Sequence, residues 1–524
     1  MRYELKIMFL ALALCFVSVA TLRSHNDCSI AMPTEGDRSI VVFFENDVHC
    51  ELKGYAKMAG LRDAVRDTAY AAIVSSGDYL QGGVVGAISK GQYIIDIMKS
   101  VGYDAVTIGN HEFDYLTPRM RQLLADLNAP LTCCNLYDIL GNLVYRPYTI
   151  STYGNKRVAF IGVLTPDTQY LSESYAFYSS SGAQLYDTRC DTYVQLVQQA
   201  VNDARHDGAD YVILLSHLGE RQEPQDRYTS TDLIVATSGI DVVLDGHTHS
   251  VINTTVNNSQ GKPVLLCQTG TQFANIGKLV ISRDGNMTAT IIPTDQVNHV
   301  SDAVAAAVTA VDDKVNEEAA RVVFRSDVPL LVNDENGNRM VRNAETNAAD
   351  IVADAMRHFM QADIGVINGG AVRVDLPAGD IRYRDVINLL PFDNNVCKIE
   401  ALGSTILQAL QLGIKNLPGE SGEFVQVSGL KYTASSATRT VSDVLVLQAD
   451  GTYAPIEPDR HYTVALSDYC VTEGGLNGVF KGCKMLVVSH VLYRDYFTDY
   501  VQKVLGGNIG NDYAAPQGRI TIVE

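Results

Sequence analysis

Five apolar runs in this chain each end in a short segment built from metal-ligand residue types. Asn46-Asp47-Val48-His49 follows residues 40–44, Gly77-Asp78 follows 71–74, and Gly109-Asn110-His111-Glu112-Phe113-Asp114 follows 105–108. His217 follows 211–215, and Gly246-His247-Thr248-His249 follows 242–244. Short apolar runs bounded by turn residues read as buried strands. In an open α/β sheet, groups just beyond the carboxyl ends of parallel strands converge on one crevice. Any one of these segments is equally a turn, because Gly, Asn and Asp tolerate unusual backbone angles. Five in series, most separated by a helical pattern, favour convergence. The pooled ligands are Asp47, His49, Asp78, Asn110, His217, His247 and His249. They are too many for one tetrahedral ion and suit two divalent ions sharing a bridging carboxylate. The pattern is that of a dinuclear metal hydrolase.

A chain of 524 residues exceeds one ordinary hydrophobic core, so two domains are expected. Its formal net charge of −19 disfavours binding to a nucleic acid polymer or an anionic membrane, which call for clustered Lys and Arg. A small anionic substrate is compatible, since bound cations and a few aimed arginines set the local field.

Residues 1–20 read as an export signal: Arg2 and Lys6, an apolar stretch over 7–20, and small residues at Ser18-Val19-Ala20. That stretch falls short of the ~20 residues a spanning helix needs. The end of the chain carries no long apolar tail of the lipid-anchor kind. A mature chain without a transmembrane segment, exported to the periplasm, the cell surface or the medium, is expected. Ten cysteines without a Cys-x-x-Cys pair predict neither a zinc ribbon nor a disulfide framework.

Apolar runs and helical patterns alternate over 38–298, with helices expected at 53–68 and 187–206 and a hairpin turning at Asp284-Gly285. An Ala/Val-rich helix over 301–323 is expected to link the domains, within a linker at 299–325. A second domain then occupies 326–524, with helices at 344–360, 384–390 and 404–414, a strand at 364–367, and mostly strands over 424–468.

The first half resembles the calcineurin-like metallophosphoesterases, whose pattern is Asp-x-His, Gly-Asp, Gly-Asn-His-Glu/Asp, His and Gly-His-x-His. The second half resembles the partner domain of the secreted 5′-nucleotidase family, which includes UDP-sugar hydrolases and 2′,3′-cyclic-nucleotide phosphodiesterases. Glu345-Thr346-Asn347, Asn368-Gly369-Gly370-Ala371-Val372-Arg373 and Leu390-Pro391-Phe392-Asp393-Asn394 carry that second match. The resemblance implies a four-layer α/β/β/α catalytic sandwich followed by an α+β substrate-binding domain. It implies Asp47, His49 and His249 on one metal, Asn110, His217 and His247 on the other, and Asp78 bridging. His111, oriented by Asp114, becomes a catalytic dyad free of metal, and Glu112 faces outward or shapes the loop. For the substrate it implies Arg342, Asn368 and Arg373 near the phosphate, Phe392 with Tyr469 as an aromatic clamp on the base, and Asn394 as a further substrate-binding residue. One departure stands out. Where the family carries Gly-Gly-Asp-Gly, this chain reads Gly474-Gly475-Leu476-Asn477-Gly478, without the ribose-binding carboxylate.

The expected activity is hydrolysis of nucleoside 5′-monophosphates. Alternatives are a 2′,3′-cyclic-nucleotide phosphodiesterase with 3′-nucleotidase activity, a UDP-sugar pyrophosphatase, or a surface nucleotide-binding protein without turnover. The mixed N/O ligand set suits Zn, Mn, Co or Fe.

Overall fold

In a computed structural model, the described residues are 38–171, 174–178, 183–222, 227–472 and 475–524. The expected export signal lies outside them.

The apolar runs of the first half form two stacked sheets. In the first, Ile40–Glu45, Tyr70–Ser75 and Ala105–Val106 run parallel, and the hairpin Asn275–Ile281/Met287–Pro293 adds antiparallel to Ile40–Glu45. In the second, Lys156–Leu164, Tyr211–His217, Val242–Leu244 and Pro263–Thr269 are parallel, with antiparallel edges at Tyr148–Tyr153 and Val251–Asn257. Alternate side chains such as Val42, Phe44 and Val74 meet Phe160, Leu215 and Leu244 between the sheets. Tyr55–Val65, Gln92–Val101 and Leu116–Asp126 cover one outer face, and Tyr193–His206 and Ser230–Ala236 the other. The result is the expected four-layer α/β/β/α sandwich. All five ligand-bearing segments leave carboxyl ends of its parallel strands.

Several elements are shorter than the sequence pattern suggests. The helix expected from residue 187 starts at Tyr193, because Tyr186–Asp187 pairs with Tyr137–Asp138 and Arg189 takes a left-handed φ of 57°. The linker helix is Asp302–Ala319, and Val322–Ser326 is already a strand of the second half, between Gly379–Arg382 and Asn508–Ile509. Val304, Val311 and Val315 of that helix pack into the first domain's core. Its carboxyl end is held by the second domain: Arg382 Nη1 donates to the Ala320 carbonyl (2.7 Å) and Tyr383 N to that of Arg321 (2.9 Å). The helix is therefore a strut shared by both domains.

The second half is built on a five-stranded sheet in the order Val425–Ser428, Ile364–Asn368, His461–Ser467, Asn395–Leu402, Lys484–Leu492. Helices Asn347–Met360 and Gly403–Gly413 pack on it. Residues of the Glu345-Thr346-Asn347 motif are structural. Glu345 accepts the backbone N–H of Arg519 (2.9 and 2.8 Å) and Ile520 (2.8 Å), and Asn347 Nδ2 donates to the Pro329 and Tyr513 carbonyls. Cys133 and Cys134 are buried thiols, not a bridged pair.

Candidate dinuclear metal site

The turns after the strands bring the seven candidate ligands into one cleft. Asp47, Asp78 and His217 are fully buried, His49 and His247 half-buried, and His249 exposed. Two groups emerge whose ligand atoms lie within 4.8 Å of one another: Asp47 with His49 and His249, and Asp47 with Asp78 and His217. Asp78 Oδ2 stands 3.0 Å from His217 Nε2 and 4.0 Å from His49 Nε2, so it too lies between the groups. His247 Nδ1 and Asn110 Oδ1 pair at 2.9 Å on the flank. Two glycines make the close approach possible. A Cβ on Gly109 would lie 2.2 Å from Asp78 Oδ1, and one on Gly246 2.9 Å from His217 Nδ1. Five of the seven residues have left-handed backbones: Asp47 (φ 52°), His49 (46°), Asp78 (60°), His247 (76°) and His249 (54°). Non-glycine residues adopt that region at a cost, and such strain gathers at functional sites.

His111 sits on the short 3₁₀ turn Asn110–Phe113, with its backbone N–H on Asp78 Oδ1 (2.8 Å). Its Nδ1 meets Asp114 Oδ2 at 2.8 Å, which leaves Nε2 for the cleft. Of the two sequence readings of Glu112, facing outward or shaping the loop, the structure supports the second. Glu112 is fully buried, and its carboxylate accepts four backbone N–H groups: Asp78 (2.8 Å), Tyr79 (2.8 Å), Leu80 (3.1 Å) and Gly109 (2.6 Å). A 3₁₀ turn advances about 120° per residue, so His111 and Glu112 leave it in different directions.

The substrate residues expected from the second half lie in two linked groups. Arg342, half-buried, is close enough to Arg373 and Arg339 that, after burial, their charges lower its pKa. The Arg373 guanidinium lies 5.9 Å from the centre of the Phe392 ring, which is 44% exposed. Asn394 Nδ2 donates to Asp468 Oδ1 (3.1 Å), next to half-buried Tyr469, and Asn368 Nδ2 donates to the Gly422 carbonyl (3.1 Å). These two amides are engaged with the protein itself. Asn477, standing where the ribose carboxylate was expected, accepts a hydrogen bond from Lys415 Nζ on its amide oxygen (2.8 Å).

Comparison with known proteins places both halves. Residues 40–251 match the family described as calcineurin-like phosphoesterase, and 322–482 match the 5′-nucleotidase C-terminal domain, which begins at the strand Val322–Ser326. The chain belongs to the 5′-nucleotidase family. This is a family of phosphoric ester hydrolases. The trifunctional nucleotide phosphoesterase protein YfkN of Bacillus subtilis is 25% identical over 93% of this chain, which spans only 35% of that protein. A snake venom 5′-nucleotidase of Gloydius brevicauda is 23% identical over 94% of this chain and 90% of its own length. The crystal structure of a putative 5′-nucleotidase from Staphylococcus aureus shares the fold, with a TM-score of 0.71 at 18% identity, covering 93% of this chain and all of that one. Among the described residues, no helix is long and apolar enough to cross a membrane.

The donor set fits the divalent cations this 5′-nucleotidase family implies. His217 Nδ1 faces the Ser76 carbonyl at 2.7 Å and must carry the proton there, so in the neutral ring Nε2 presents a lone pair. That buried Nε2 lacks a hydrogen-bond partner and is aimed between Asp78 Oδ2 and Asp47 Oδ1 (3.8 Å). His49 repeats the arrangement: Nδ1 faces the Gln81 carbonyl (3.2 Å), and Nε2 lies 3.0 Å from His249 Nε2. Lone pairs opposed across 3–4 Å need positive charge between them. Protons can meet that need at His217 but not at His49. Burial opposes charging His217, yet Asp78 and Asp47 push it up to about 10, while burial drives His49 down to about 4 and Asp47 up to about 8. Asp393 and Arg494, a buried ion pair in the second half, carry no role assigned from the sequence. An isolated Arg within Tyr493-Arg494-Asp495 has no periodic or motif signal.

Proposed function

We propose that this chain is an exported phosphoesterase that removes phosphate from nucleoside 5′-monophosphates with two divalent metal ions. The observation that carries the reading is the set of inward-facing lone pairs and carboxylates on Asp47, His49, Asp78, His217 and His249, next to the His111–Asp114 pair. Asp47, His49 and His249 would hold one ion, Asn110, His217 and His247 the other, with Asp78 between them. Divalent ions bound there supply Lewis-acid charge for phosphoryl oxygens and acidify a water to act as nucleophile.

The protein's own groups do the rest. Asp114 fixes the tautomer and ring plane of His111, so that Nε2–H is presented to phosphoryl or leaving-group oxygen as negative charge develops. Although burial opposes it, Asp114 and Asp78 raise the His111 pKa well above its ordinary value, so the ring keeps a proton to offer. Glu112 holds the two ligand turns in register. Arg373 and Arg342 supply positive charge for the phosphate, and Phe392, with Tyr469 as its partner in the clamp, stacks the base. Residues 38–298 form the catalytic domain, and 326–524, with the strand Val322–Ser326, the substrate domain. Residues 1–20 direct export, which the amino-terminal sequence of the mature protein tests.

A substrate panel with metal-stripped and reconstituted protein tests the function. Turnover of nucleoside monophosphates above 2′,3′-cyclic nucleotides and UDP-sugars, abolished by chelation, is expected. Preference for either of the latter overturns the substrate assignment, and absence of any metal-dependent turnover overturns catalysis.

A further inference from the structure

Arg494 is among the largest fully buried side chains of the described structure, only 1% exposed. Its Nη1 donates to the Phe392 carbonyl (3.2 Å), and its Nη2 closes an ion pair with Asp393, itself 8% exposed. Beside it, Tyr493 N donates to the Asn394 carbonyl (3.0 Å). Three consecutive residues, Phe392 to Asn394, are thus tied down from a segment about 100 positions along the chain. The loop also lies at the seam between the domains. It follows directly on the helix Tyr383–Leu389, which packs against Gly83–Ser89 of the first domain and against the linker helix Asp302–Ala319. From this anchored loop the Phe392 ring projects toward Arg373.

We propose that Arg494 is a positioning residue for substrate recognition, its guanidinium fork fixing the Phe392–Asp393 loop so that the ring is presented next to the phosphoryl site. The proposal rests on the reading of Phe392 as the base-stacking residue. A planar fork is needed because two acceptors on neighbouring residues must be held at once. Lysine would neutralise Asp393 but, as a single point charge, would not define both directions.

The test compares KM and kcat for a nucleoside 5′-monophosphate and for p-nitrophenyl phosphate. The variants are Arg494→Lys, the neutral pair Arg494→Met/Asp393→Asn, Phe392→Ala, and Phe392→Ala combined with each. Stacking on one face corresponds to about 5- to 150-fold in affinity, so a misplaced ring is expected to raise nucleotide KM by about 5- to 50-fold, with a smaller rise for p-nitrophenyl phosphate. In the Phe392→Ala background the Arg494 changes should add little further, because residues acting through one another are not additive. A residue that only stabilises the fold would give an additive loss on both substrates. Should Arg494→Lys fail to fold, the neutral pair, which leaves no buried charge unpaired, gives the reading. Wild-type nucleotide KM in a folded Arg494 variant, or additivity with Phe392→Ala, overturns the proposal. If Phe392→Ala itself leaves the ratio of the two KM values unchanged, the stacking reading fails instead.

Discussion

Replacing Glu112 by alanine should cost the protein both stability and metal, although Glu112 is not placed among the ligands. Its carboxylate joins the turn after Tyr70–Ser75, through the N–H groups of Asp78, Tyr79 and Leu80, to the turn after Ala105–Val106, through Gly109. An orphaned buried N–H costs about 1–3 kcal/mol, so four independent ones would reach about 4–12 kcal/mol. They share one partner, and water can enter the cavity left behind. The expected loss is therefore about 3–5 kcal/mol, the range for removing one member of a buried charged pair. At about 2–4 °C per kcal/mol for a domain of this size, Tm should fall by about 6–20 °C. Because Asp78 is positioned by the same carboxylate, elemental analysis should show metal loss in the folded variant. Glu112→Gln should be intermediate, since whichever way the amide is turned only two of the four N–H groups keep an acceptor. A Glu112→Ala protein that melts within a degree or two of wild type with both metals in place would refute the reasoning.

Three further outcomes are expected. His111→Ala should lower turnover by roughly 10²–10⁴-fold, the range for a positioned proton donor, with metal content unchanged; a parallel loss of metal would make His111 a ligand. Asp78→Asn should reduce occupancy of both metals by elemental analysis, and two fully occupied metals would rule out bridging. Deleting residues 518–524 should destabilise the second domain in thermal unfolding, because Glu345 would lose the Arg519 and Ile520 N–H groups and Asp354 its Arg519 partner (2.7 Å); an unchanged melting profile would count against that role.

The strand-end segments made the first domain and its ligand cluster readable from the sequence, because strand direction alone gathers the residues beyond each carboxyl end. Three things were not readable that way. Glu112 looked like a loop carboxylate, and only the tight turn Asn110–Phe113 sends it inward. Val322–Ser326 merges with an Ala/Val-rich helical pattern, since five residues give too little periodicity to mark where a helix stops. Arg494 depends on tertiary reach alone. The motifs of the second half pointed to the family without separating roles: Glu345 and Asn347 brace the chain terminus, whereas Arg373 and Phe392 line a common surface.

The left-handed backbones at Asp47, His49, Asp78, His247 and His249 set metal binding against thermal robustness at the same residues. Each such L-residue conformation costs about 1–2 kcal/mol, which glycine would largely escape. Exposed His249 is the clearest instance, with few packing contacts to lose. In chelator, His249→Gly should melt at or above the wild-type temperature, whereas in excess metal the order should reverse. A stability screen run on metal-free protein would therefore enrich variants that dismantle the site.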